Sequence, residues 1–251
     1  MWIADDVLAA AATALREAEE GFVHEQAVRG LDALEEVDLH RLIAAGLAGA
    51  GFGVLREQPY PGDRTTARPT GDQLARESER RRCDLVLTPE PGLRIADPVR
   101  TIKRRLAHER QAAGTLFEAH AAATAAEEEA APQPGTIPPE DAFWLEVKLV
   151  GQYCYEAGIP GPNRTYASQL VRGITADLAK LAADPHIDAG ALLLILFTED
   201  QRVADHDLVQ AMHRCLDKGV VASTPITTSF PVLDRIGNTL CTTALIRASR
   251  G

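Results

Sequence analysis

Three residues of this chain have the types and the order that divalent-metal chemistry requires: Asp84 in "CDLVLT", then Glu146 and Lys148 in "FWLEVKLV". Side chains alternate along a strand. In "FWLEVKLV" this puts Phe143, Leu145, Val147 and Leu149 on one face, and Trp144, Glu146, Lys148 and Val150 on the other. Glu146 and Lys148 then stand about 7 Å apart along the strand. Asp84 points opposite to Cys83 and Leu85, so pairing of the two strands would let Asp84 and Glu146 converge on one point. Two carboxylates with nothing between them repel. A divalent cation removes the repulsion, and hard oxygen ligands select magnesium, with manganese as the substitute. An ammonium beside that cation can hold, or help deprotonate, a water whose pKa the metal has already lowered. Water activated beside a metal that stabilises a pentacoordinate phosphorus is the chemistry of phosphodiester hydrolysis.

The choice of lysine is itself informative. The chain has four lysines, at 103, 148, 180 and 218, against 22 arginines. A Lys in the middle of an apolar strand therefore reads as a demand for ammonium chemistry, because Lys is a compact donor with a movable pKa and Arg a fixed fork. The formal charge of −10 argues against a general polyanion binder and makes DNA affinity depend on a partner or a metal. The cysteines at 83, 154, 215 and 241 form no C-x-x-C pair. Neither a zinc site nor a disulfide framework is expected, and the chain reads as a reduced, cytoplasmic protein. "VHEQAV" begins like a zinc-protease helix but has Val28 where the second histidine belongs. The longest strongly apolar run, "AGALLLILF", is nine residues, too short to span a bilayer, and residues 1 to 6 carry no secretory pattern, so no membrane partner is expected.

The elements that must position the three residues follow from periodicity. Residues 4 to 20 are Ala-rich and helical, and 28 to 50 form the strongest amphipathic helix, with Leu31, Leu34, Leu39, Leu42, Ile43 and Leu47 at three-to-four spacing and Gly51 and Gly53 ending it. "VLREQPYP" is a strand closed by prolines, an Arg-rich loop covers 63 to 82, and "CDLVLT" is a second strand closed by "PEPG". Residues 89 to 140 read as an insertion: a helical or partly disordered arm over 98 to 130, then a Pro-rich return. Its Arg100, Lys103, Arg104, Arg105 and Arg110 offer two readings, a face that meets phosphates or, preferred here, a solvated face laced with i,i+4 charge pairs. "FWLEVKLV" is the third strand, "GIPGPN" a tight loop, 165 to 183 a helix, "ALLLILF" a strand buried on both faces, and 204 to 218 a helix. A terminal hairpin turns near Gly237-Asn238. The order predicts an α/β protein: one domain over 1–251 with a mixed central β-sheet flanked by α-helices. The helix after "FWLEVKLV" is long enough for a crossover to a parallel strand.

Asp84 followed by "EVK" at 146 to 148, in this order of elements, resembles the PD-(D/E)XK nuclease superfamily over roughly residues 28 to 197. The resemblance implies a restriction-endonuclease-like core with a helical insertion, and the chemistry of restriction-like endonucleases and of repair and phage-defence nucleases. It gives Asp84 and Glu146, with the Val147 carbonyl, the role of holding Mg2+, and Lys148 that of positioning or activating the water. A glutamate of the first core helix often joins such sites; Glu36, which shares a face with His40, is the choice, with Glu35 as the alternative. Gln169 occupies a position such nucleases often use, and Tyr166, Arg172 and Lys180 on the same helix would meet substrate phosphates. The sequence departs from the pattern at Cys83, where the motif has proline, and in the long step of 62 positions from Asp84 to Glu146. Asp97 in "LRIADP" would replace Asp84 if "PEPG" were a hairpin turn. The substrate implied is nucleic acid, DNA before RNA, with a homodimer or partner protein supplying target recognition. The rival reading is a catalytically silent interaction subunit of the same fold.

Overall fold

A computed structural model describes residues 2–62, 80–112 and 134–249. Six strands form one mixed sheet: β1 (Gly53–Pro59), β2 (Arg82–Thr88), β5 (Phe143–Gly151), β8 (Ala189–Thr198), β10 (Leu240–Arg247) and β9 (Ile226–Pro231), neighbours in that order. Within this sheet only β5 and β8 run parallel, joined as expected by a helical crossover, α4, over 166–183. The α/β class read from the sequence is the class observed, with α1 (Ala4–His24) and α2 (Glu36–Gly49) on one face, and α4 and α5 (Gln201–Asp217) on the other.

β8 explains why "AGALLLILF" shows no alternation. Ala191, Leu193, Ile195 and Phe197 pack toward α1 and α2, while Leu192, Leu194 and Leu196 pack toward α4 and α5. With a strand on each side and helices on both faces, all ten residues of β8 are buried. α1 lies close on α2 because Gly46 has no side chain: a Cβ there would stand 2.4 Å from the Cβ of Ala14 and 3.1 Å from the carbonyl oxygen of Ala10. Gly46→Ala is therefore expected to push the two helices apart and cost about 1–3 kcal/mol in urea unfolding; an unchanged midpoint would contradict that packing.

The helix expected over 28–50 is shorter than its periodicity suggests. Leu31–Ala33 form a 3-10 turn, Leu34 and Glu35 are extended, and the helix begins at Glu36. The competing interaction is a buried acid. Glu19 of α1 accepts hydrogen bonds from the Leu31 amide (3.0 Å), the Leu233 amide (3.0 Å) and Arg235 Nη1 (2.7 Å). That network holds 28–35 as a crossing segment, and Leu31 reaches the core from a turn. "GIPGPN" is likewise more than a loop: β6 (Tyr153–Glu156) and β7 (Ile159–Pro162) pair as a hairpin through Ala157 and Gly158, both at positive φ (52° and 82°). Pro160 and Pro162 hide that edge strand in the sequence.

The insertion between β2 and β5 leaves and returns at one place. β3 (Arg94–Ile95) pairs with β4 (Thr136–Ile137), and α3 (Pro98–Ala112) starts just after β3. The rest of the expected arm, 113–130, and residues 63–79 of the expected loop lie outside the described residues. Among the described residues, no helix is long and apolar enough to cross a membrane.

Candidate active site

Both ladders that flank β2 lapse at Asp84. On one side β1 and β2 pair at Arg56–Leu85 and at Gln58–Cys83, passing over Glu57, which lies opposite Asp84 in register. Glu57 takes φ +52°, a left-handed conformation that costs a non-glycine residue roughly 1–3 kcal/mol and is retained chiefly at functional sites. On the other side β2 and β5 pair at Leu87–Phe143, Val86–Trp144 and Leu85–Leu145, and no further. The next pair in register would be Asp84 and Glu146. In its place the Asp84 carboxylate accepts the Val147 amide at 2.8 Å. Since the amide and carbonyl of one strand residue face the same edge, the Val147 carbonyl also faces this gap.

Glu146 is buried and holds two partners on one oxygen: Oε1 accepts the Tyr60 hydroxyl at 2.5 Å and lies 2.7 Å from Lys180 Nζ. Burial, then the charge of Asp84, pushes the Glu146 carboxyl up to about 7, against Lys180 and Tyr60, which pull it down. Burial also raises the Asp84 carboxyl, while the Val147 amide and Glu146 draw it down. Seen from Lys180 the same ion pair looks favourable: burial would lower its pKa, but Glu146 and Asp177 raise it. The two shifts differ because Glu146 faces the like charge of Asp84 as well as burial, whereas Lys180 faces only acids.

Lys148 stands one row further along β5. Its Nζ lies 3.4 Å from Asp177 Oδ2 and 3.9 Å from Glu36 Oε1. Burial alone would lower its pKa; Asp177 and then Glu36 more than offset that, so the group is an ammonium at neutral pH. It can donate to water or to a phosphate oxygen but does not act as a base while those acids face it. Asp177 also meets Lys180 at 3.5 Å and so bridges the two lysines.

α2 closes the site from the other side of the sheet. Glu36, rather than the N-terminal flanking residue Glu35, faces Lys148 and lies 3.9 Å from His40 Nε2. His40 is buried, and its Nε2 has no hydrogen-bond partner among the described residues. Burial holds the imidazole below its ordinary value, so it is neutral and ligand-ready, against the pull of Glu36 and Glu57. One ligand atom each from His40, Glu57 and Asp84 lie within 4.8 Å of one another. These residues fit a divalent cation: an unsatisfied buried imidazole, two carboxylates, and the Asp84–Glu146 pair beside them. Asp84 belongs to both groups. An imidazole also extends the set beyond the hard oxygen donors that suit magnesium, toward transition metals.

Asp84, Glu146, Val147, Lys148 and Glu36 are thus brought together. Gln169 is exposed and its side-chain carbonyl accepts from Asn163 at 2.9 Å; one turn on, a Cβ at Gly173 would stand 3.4 Å from Lys148 Cδ, so its helix runs beside the site. Tyr166 donates to Asp207 of α5 at 2.5 Å and serves helix packing, while Arg172 is exposed. Lys180 pairs with the site carboxylate itself, where a substrate phosphate was expected. Asp97 lies elsewhere: "PEPG" makes no hairpin, and Asp97 binds Arg80 and caps α3. The sequence analysis missed Tyr60 and Asp177. Asp177 could have been found, since it sits three residues before Lys180 on the same helix face. Comparison with protein-family models, curated proteins and solved structures finds no match.

Proposed function

We propose that this protein is a metal-dependent nuclease of the PD-(D/E)XK type that hydrolyses phosphodiester bonds in DNA. The observation that carries the reading is the lapse of both β-ladders at Asp84, which gathers Asp84, Glu146 and the Val147 carbonyl into one gap with Lys148 alongside. Asp84, Glu146 and Val147 would hold the cation, with Glu36, His40 and Glu57 completing one shell or dividing between two ions. Bound there, magnesium or manganese supplies a Lewis acid for a phosphoryl oxygen and lowers the pKa of water. The chain's own residues do the rest. The Lys148 ammonium, held by Asp177 and Glu36, orients the attacking water or takes charge developing on a phosphate oxygen. Asp177 keeps both lysines protonated and in place. The strained Glu57 backbone presents its carboxylate opposite Asp84.

The test uses purified protein with supercoiled plasmid, linear duplex, single-stranded DNA and RNA, in magnesium, manganese or chelator. Metal-dependent cleavage of at least one DNA is expected. Absence of cleavage on every substrate would overturn the reading, and absence of any heat of manganese binding would remove the metal site as well. One observation favours a second reading. Glu146 Oε1 is already engaged by both Lys180 and Tyr60, an arrangement that a catalytically silent interaction subunit could keep permanently. That alternative predicts a stable partner and no effect of metal on melting.

A further inference from the structure

Glu146 is tied to the insertion by a continuous run of hydrogen bonds. The Tyr60 hydroxyl donates to Glu146 Oε1 at 2.5 Å, and the Tyr60 ring is fully buried beside Trp144, 5.9 Å between centroids. The Tyr60 carbonyl accepts Nη2 of Arg80 at 2.7 Å. Nη1 of the same guanidinium donates to Asp97 Oδ2 at 2.7 Å, and the Arg80 side chain is 2 % exposed. The other oxygen of Asp97 accepts the amides of Val99 (3.0 Å) and Arg100 (3.3 Å), the first turn of α3. α3 therefore begins at a group whose far end fixes the carboxylate.

We propose that Tyr60 and Arg80 are positioning residues for Glu146, and that through Asp97 they make the metal site depend on how the insertion helix α3 is seated. The proposal rests on the nuclease reading. The physical case is one of alternatives. Glu146 has one chemical task, to present an oxygen to a cation, and free rotation of its side chain would dilute that task. Tyr60 removes the freedom because its ring is buried and its hydroxyl reaches no other carboxylate among the described contacts. Tyr60 lies just beyond β1, where its amide donates to the Arg81 carbonyl at 3.0 Å and its carbonyl accepts from Arg80. Arg80 is a buried fork that can serve two acceptors at once, which Lys cannot do in the same geometry. Partners of this kind, one bond removed from a metal ligand, commonly change metal affinity 10–100-fold when lost. α3 carries Arg100, Lys103, Arg104 and Arg110. The basic helix of the insertion is thereby linked to the group that would hold the metal.

The test measures manganese affinity by calorimetry without DNA, and kcat and KM on a linear duplex, for the wild type, Tyr60→Phe, Arg80→Lys and Asp97→Asn. Tyr60→Phe keeps the ring and is expected to weaken manganese binding roughly tenfold and to lower kcat with KM for DNA unchanged. Arg80→Lys keeps one of the two anchoring bonds and is expected to fall between Tyr60→Phe and the wild type. Asp97→Asn retains the cap on α3 but weakens its hold on Arg80, and is expected to weaken manganese binding in the same direction as Tyr60→Phe. Manganese affinity unchanged in Tyr60→Phe overturns the positioning role; affinity unchanged in Asp97→Asn, with a lowered melting temperature, overturns the link to α3. If the wild type binds manganese but cuts nothing, the nuclease reading fails, while the affinity series still judges the relay.

Discussion

Lys148→Ala is expected to lower kcat by about 10²–10³-fold while manganese affinity stays within about threefold of the wild type. Lys148 pairs with acids that flank the gap, Asp177 at 3.4 Å and Glu36 at 3.9 Å, and Asp84 acts on it more weakly than either. Its removal therefore leaves the carboxylate pair and the Val147 amide in place and takes away only a donor aimed at the reacting groups. The identity of the cation matters as much as its charge. In Lys148→Arg the guanidinium would pair with Asp177 through its fork, preserving the fold without restoring a compact ammonium, so arginine is expected to rescue melting temperature but not cleavage. The pH profile adds a check. Asp177 and Glu36 hold the Lys148 pKa above its ordinary value, so no loss of the ammonium is expected as pH rises through neutrality. A rate that climbs through neutrality with a dependence abolished by Lys148→Ala would mean that Lys148 acts as a base, and cleavage unchanged in Lys148→Ala would remove it from the mechanism.

The sheet and the placing of Asp84, Glu146 and Lys148 on neighbouring strands were legible because each is announced by a local pattern. β8 has no alternation and must be buried on both faces; β5 is apolar except at 146 and 148. Nothing local announces Tyr60, whose hydroxyl meets a residue 86 positions away, or Glu57, whose importance lies in a backbone angle. The same holds for the helix boundary at 36, which is decided by a carboxylate on α1, and for Asp97, whose capping role depended on where a two-residue strand pair placed the start of α3. For Gln169 and Tyr166 the resemblance supplies a role but no partner: the groups they meet, Asn163 for one and Asp207 for the other, are set by the fold and not by any local pattern. Periodicity finds faces; which side chain meets which is a tertiary matter.

The carboxylate pair itself gives the second large expectation: Glu146→Gln abolishes metal-dependent cleavage, by roughly 10³-fold or more, and at the same time stabilises the metal-free protein. Two effects oppose one another here. The amide loses the ion pair with Lys180, which still has Asp177 at 3.5 Å. It gains a neutral group where burial and the charge of Asp84 penalise a carboxylate, and it can donate to Asp84 while its carbonyl still accepts from Tyr60. The penalty is the larger, because the Glu146 carboxyl is pushed up to about 7 from 4.5 despite Lys180 and Tyr60; the net gain expected above pH 7 is about 1–2 kcal/mol. The sign with pH follows. Between about 4.5 and 7 the folded wild type binds a proton that the unfolded chain has released, so its stability is highest below that window and falls as pH rises through it, levelling off above. Asp84, also raised, adds to the same slope. Chemical denaturation of the chelated wild type should therefore show stability falling from pH 5 to 8, and Glu146→Gln should flatten most of that fall. Magnesium or manganese should restore the wild type at pH 8 by favouring the ionised pair, and should restore the variant far less. A variant less stable than the wild type at pH 8 in chelator would mean that Lys180 already neutralises the pair, and the carboxylates would then need no metal to explain them.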